Sequence, residues 1–199
     1  QFIQADAASR RGLIQVLGSS DHLEERPLSN WDTTFPPLLH KLHQLEFDYD
    51  DGDGYDFEPY QSFFPAEENA SWFKAWTGNA AIDGSQFRVF GQDGTGGYAA
   101  FWLVLPDQPI EKQPVVFLGS EGEKGVVALN LDEYLWLLAD GVGPYEAVAY
   151  PSPDSKPNAQ FTLFAQENSG IAKLSAAEVL ARANEAYPSF SEQIDSLCR

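Results

Sequence analysis

The run YAAFWLVL, residues 98–105, constrains the fold more than any other stretch of the chain. An almost unbroken apolar run of this length is expected of a central strand whose sheet is covered on both faces. Its neighbours have the same character. QFRVF (86–90), PVVFL (114–118) and VVAL (126–129) read as further strands, and GQDGTGG, PDQP and GSEGEKG break the chain between them. Short strands joined by glycine-rich turns predict an antiparallel meander.

Helices are expected on either side of that block. Residues 2–17 carry an imperfect apolar stripe of Ile3, Ala7, Ile14 and Leu17, and 18–34 read as loop. Pro36 or Pro37 opens a short helix bearing Leu38, Leu39, Leu42 and Leu45. Pro65 starts another, with Glu67 and Glu68 at its positive end, Trp72, Phe73 and Trp76 on one face, and Gly78-Asn79 at its close. Asn130 with Glu133 makes a capping-box pattern ahead of Leu131, Tyr134, Leu135 and Leu138. Gly141 ends that helix. Ser175 with Glu178 repeats the capping pattern before Val179, Leu180 and Ala183, and Pro188 stops or kinks the helix. Residues 151–160 hold three prolines and read as loop, while FTLF (161–164) fits an edge strand or part of a helix. Strands clustered between helices predict an α+β fold, an antiparallel or mixed sheet packed with helices.

A chain of 199 residues that is 43% hydrophobic and holds five Trp and fourteen Phe can bury a sizeable core, and one domain is expected. The lone cysteine, Cys198, cannot form an internal disulfide, which fits a reducing, cytoplasmic setting. No apolar run reaches the ~18 residues of a membrane span, and no secretion signal is visible. The sequence opens on Gln1 and contains no methionine, so its native start is expected to lie elsewhere.

Charge narrows the partners. Twelve basic residues stand against thirty acidic ones, a net −18. That field repels nucleic acid and anionic membranes and attracts basic partners. Between Lys41 and Lys74 there is no Lys or Arg, and the stretch DYDDGDGYDFE (48–58) supplies five aspartates and a glutamate.

An EF-hand loop would need ligands at positions 1, 3 and 5, glycine at 6 and glutamate at 12. With Gly54 at position 6, Tyr49 and Tyr60 occupy the two anchoring positions. With Gly52 there, Glu58 is recovered but Phe47 and Tyr49 replace two aspartates. Neither register works. An irregular calcium site and a plain solvated turn stay open.

Other chemistries find less. GQDGTGG ends without the Lys-Ser/Thr of a phosphate loop, and a strand rather than a helix follows it. His40 and His43, three apart, lack a convincing third ligand beyond Glu46 and read as surface residues. Ser120 lacks the first glycine of a nucleophile elbow. No catalytic, metal or cofactor residue is therefore assigned, and the chain is expected not to be an enzyme.

FRVFGQDGTGGYAAFWLV followed by QPVVFLGSEGEKGVVALNLDEYLWLLADG resembles the core of the SUKH superfamily, which includes bacterial immunity proteins and a fungal cell-wall-synthesis regulator. The likeness rests on the turn of Gly91, Asp93, Gly94 and Gly96, the two apolar strands, an acidic turn holding Glu121 or Glu123, and the helix of Leu131, Tyr134, Leu135 and Leu138. The helix bearing Trp72 and Trp76 is similar to the one that precedes this core. Residues 60–142 carry the resemblance, 1–59 form a divergent lead-in with the acidic turn, and 143–199 form a helical extension.

The resemblance implies an α+β fold and, for many bacterial members, an immunity role: binding a polymorphic toxin, often a nuclease, and blocking it. Nuclease surfaces are basic, so an acidic inhibitor is steered towards them. Asp48, Asp50, Asp51, Asp53, Asp56 and Glu58 are accordingly the candidate partner-binding residues. A house-keeping scaffold of the same fold is the alternative. A calcium-binding or hydrolytic use of the turn ranks behind both.

Overall fold

The computed structural model describes residues 31–150 and 155–199. The helix expected over 2–17 and most of the loop expected over 18–34 lie outside them. So do residues 151–154 of the proline-rich segment.

Five strands form one sheet in sequence order, every neighbouring pair antiparallel: β1 (Glu58–Pro59), β2 (Phe87–Gln92), β3 (Tyr98–Trp102), β4 (Val115–Leu118) and β5 (Lys124–Ala128). Seven helices among the described residues accompany it: α1 (Pro37–Leu42), α2 (Ala66–Thr77), α3 (Leu131–Ala139), α4 (Pro144–Ala149), α5 (Ala159–Asn168), α6 (Ala176–Ala186) and α7 (Phe190–Asp195). This is the expected α+β meander. Strand β1, helices α4 and α7, and the short 3-10 turns at Asp50–Gly52 and Ile110–Lys112 were not foreseen.

The apolar runs follow from the position of the sheet. Ala99 and Phe101 of β3, with Val115 and Phe117 of β4, join a core shared with α1, α3 and α5. Their neighbours Ala100, Trp102, Val116 and Leu118 join a second core with Phe73 of α2 and Phe190 and Ile194 of α7. Alternate residues of a strand face opposite sides, so a sheet with helices on both sides needs apolar residues at every position. Two register shifts interrupt the alternation, each leaving one extra residue in the ladder: Phe90 in β2, and Val127 in β5 opposite Val115 and Val116.

The strand expected over 98–105 stops at Trp102. The cause is Gln113, almost wholly buried. Its Oε1 accepts the amides of Val104 and Leu105, and its Nε2 donates to the carbonyls of Leu105 and Gln108. One side chain thus satisfies backbone groups that a continuing strand would have paired, and the chain bends away.

Helix α2 runs as expected from Pro65 to Gly78, whose φ of 64° is the left-handed cap that glycine adopts at least cost. FTLF resolves as helix, inside α5, with Asn158 capping it. The Ser175–Glu178 capping box forms in both directions. The Asn130–Glu133 box forms in one only. Asn130 accepts the Glu133 amide, but the Glu133 carboxylate turns inward to Arg182. The face expected on α3 is in fact a whole surface, since Trp136 and Leu137 are buried along with the expected residues. The sheet, α5 and α6 enclose that helix.

His43 corrects the expectation of surface histidines. It is 3% exposed, its ring set edge-on to Phe35 and Phe57, with Nδ1 against the Tyr60 carbonyl. His40 is exposed.

Candidate acidic binding face

The acidic stretch closes on itself. Tyr55 N–H donates to the Asp48 carbonyl, Gly52 and Gly54 donate to the Tyr49 carbonyl, and the Asp48 carboxylate accepts the Asp50 amide. Asp50 and Asp51 both hold positive φ, 45° and 52°, a region that aspartate tolerates better than most residues. Two aromatic anchors tether the loop. Tyr55 is buried with its hydroxyl donating to the Leu138 carbonyl at 2.6 Å, and Phe57 is buried against Phe90. Around these anchors, Asp48, Asp50, Asp51, Asp53 and Glu58 are exposed and Asp56 is half-buried.

The loop borders an open groove of about 550 Å³. Tyr49, Asp56 and Glu58 lie on one side, and Gln92, Asp93 and Thr95 of the β2–β3 turn on the other. Two hydrogen bonds join the sides: the Asp56 carboxylate accepts the Gly94 amide at 2.8 Å, and Gln92 Nε2 donates to Glu58 at 2.7 Å. Helix α4 supports the loop from beneath, because Glu146 Oε1 accepts the Asp56 amide at 2.8 Å. Burial pushes the Glu146 carboxyl above the ordinary carboxylate range, against the hydrogen bonds that lower it.

Asp93 is 2% exposed and organises the opposite wall. Its Oδ1 accepts the amides of Thr95 and Gly97, at 2.9 and 2.8 Å, and the Thr95 hydroxyl. Gly97 is required at the close of this turn. A Cβ there would lie 2.6 Å from the Phe117 ring and 3.0 Å from Asp93 Oδ2.

The β4–β5 turn lies alongside, with the Ser120 hydroxyl donating to Thr95 Oγ1 at 3.0 Å. It adds exposed Glu121 and half-buried Glu123. Tyr145 of α4 reports the convergence: burial first, then Tyr150, Glu123, Asp56 and Asp93, raise its phenol above the ordinary value. The acidic stretch and the two hairpin turns therefore make one acidic face at one end of the sheet. The ion pairs Lys112–Asp132, Lys124–Asp195 and Arg182–Glu133 draw on no residue of 48–58.

All six candidate residues thus come to one region, in two classes. Asp50, Asp51 and Asp53 project freely, whereas Asp48, Asp56 and Glu58 also hold the loop together. The sequence reading missed Tyr49, Gln92 and Glu146. Glu146 stands ninety residues from Asp56, and no local spacing signals such a pair. Among the described residues, no group of three or more His, Cys, Asp or Glu side chains is placed to hold a metal ion, and no helix is long and apolar enough to cross a membrane.

Compared with known proteins, the chain matches no family model, no curated protein and no solved structure.

Proposed function

We propose that this is a non-catalytic binding protein of the SUKH kind that captures a basic protein, an immunity-type role in which the partner is a nuclease-like toxin domain. The observation that carries the reading is the convergence of the acidic stretch with the two hairpin turns into one carboxylate face. Carboxylates gathered on one face repel one another and weaken the fold slightly. A cationic macromolecule relieves that repulsion on docking and is drawn in over a range set by salt. The antiparallel sheet with helices on both faces agrees with the fold that the resemblance implies.

The test is affinity capture from cells that encode the neighbouring genes, followed by association kinetics of the captured protein. Association should slow steeply as salt rises. Replacing Asp50, Asp51 and Asp53 by asparagine, which also tolerates positive φ, should slow it further while leaving the fold intact. Kinetics indifferent to both salt and these substitutions would remove the acidic face from the account.

A further inference from the structure

Strand β1 separates the acidic groove from a second one. This second groove, about 400 Å³, is bordered by Pro59, Tyr60, Phe64, Pro65 and Glu68. Its rings continue across the surface. Tyr60 stacks on Phe64 with centroids 5.5 Å apart and planes at 23°, and Phe64 meets Tyr98 edge-on at 5.1 Å. All three rings are half-buried, so each keeps part of its surface open to solvent.

Carboxylates rim these rings. Burial, then Tyr98, Glu58 and Glu68, raise the Tyr60 phenol, and burial with Glu68 raises that of Tyr98. Glu58 and Glu68 are both exposed. Glu58 lines the acidic groove and its neighbour Pro59 lines this one, so the two grooves adjoin across β1.

The chemistry selects the occupant. A purely apolar ligand would strip water from Glu68 and return nothing to its charge. A lysine ammonium is compact and strongly hydrated. A guanidinium is planar and weakly hydrated, stacks on aromatic faces and forks onto a carboxylate. We propose that this groove takes an arginine side chain of the partner protein, its guanidinium against the Tyr60–Phe64 rings and hydrogen-bonded to Glu68. The proposal rests on the reading of the acidic face as a site for a basic protein, and it names the residue that the partner inserts beside that face.

The experiment uses the full chain, with aromatic resonances followed by NMR. The probes are the capped peptide Gly-Pro-Arg-Pro-Gly and its lysine and citrulline counterparts. Citrulline keeps the shape of arginine and loses its charge. The arginine peptide should shift Tyr60, Phe64 and Tyr98 saturably, and the lysine and citrulline peptides should bind at least about fivefold more weakly. Glu68→Gln, an exposed change in the first turn of α2, should weaken the arginine peptide by about fivefold while lowering the thermal midpoint by no more than about 4 °C. Equal binding of the citrulline peptide, shifts confined to other residues, or indifference to Glu68→Gln would overturn the proposal.

The combined variant Asp50→Asn, Asp51→Asn and Asp53→Asn separates this proposal from the broader reading. It should leave peptide affinity within about twofold, since screening confines its reach, while slowing association of the captured partner. If the peptide fails to move these rings but partner association still follows the acidic turn, the arginine groove falls and the acidic-face reading stands.

Discussion

The carboxylate of Asp56 accepts the Gly94 amide at 2.8 Å, and this bond joins the acidic loop to the hairpin that faces it across the groove. Asp56 therefore has two uses, as one charge of the face and as a strut between its walls. Asp53, exposed on the same loop, has only the first. Asp56→Ala should lower stability by about 1 kcal/mol and speed amide exchange at Gly94. Asp53→Ala should leave that exchange unchanged. Denaturant unfolding and hydrogen exchange measure both, and equal exchange in the two variants would refute the strut.

Acid should weaken the fold through His43. Its ring is enclosed by aromatic residues, and burial first, with a lesser push from His40, lowers its pKa from 6.5 to about 4, against the Tyr60 carbonyl that raises it. The folded state thus holds a neutral imidazole where the unfolded chain takes up a proton. Stability is fully present above about pH 6.5 and is lost as pH falls towards about 4, by roughly 3 kcal/mol in all. Glu146 acts in the opposite sense. Its carboxyl is raised above 4.5, so its contribution is present below that value and is lost as pH rises through the folded pKa. His43→Phe removes the first dependence and keeps the second. Urea midpoints between pH 4 and 7 should fall towards acid in the parent, and flatten or reverse in the variant.

What could be read from the sequence and what could not divide by range. Pro65 and Gly78 mark the ends of α2 because both act on their own backbone. Ser175 and Glu178 interact three residues apart, and the capping box is as local as the pattern that predicts it. The alternating double burial of β3 shows in its composition. Gln113 could not be read as the device that ends β3, since its role depends on carbonyls and amides brought to it by the loop. Glu133 matched a capping pattern, yet Arg182, forty-nine residues on, redirects it. His43, at the C-terminal end of α1, was read as a surface residue, and tertiary contacts with Phe57 and Phe90 bury it instead. The six acidic candidates were visible as a run, but the facing wall of Asp93 and Gly94 became part of the same feature only through the fold.

Glu133 and Arg182 make an unequal pair. The glutamate side chain is 1% exposed and the arginine 54%, with Nε 2.8 Å from Oε1. Removing the arginine leaves a buried carboxylate with only the Leu129 amide, at 3.5 Å. Neutralising the glutamate leaves a guanidinium that water can reach. Arg182→Ala should therefore cost about 2–3 kcal/mol, and Glu133→Gln about 1 kcal/mol. Chemical denaturation checks the order. Equal costs would mean that water already serves Glu133 in the folded state.

Asp93 gives the sharpest test of how the face is built, because its charge is spent inward. Three donors converge on its Oδ1, among them the amides of Thr95 and Gly97, in a turn that also carries the Gly94 amide held by Asp56. Asp93→Ala would leave the Gly97 amide buried without an acceptor and free the turn, at about 2–4 kcal/mol. Asp93→Asn keeps an acceptor oxygen in place and should cost about 1 kcal/mol. The substitutions should also separate charge from shape in binding. Both remove the same negative charge, so a partner that responds to charge alone would be slowed equally by each. If the wall must hold its geometry, Asp93→Asn should retain most of the association rate, whereas Asp93→Ala should lose it together with the protection of Gly94 and Gly97 from exchange.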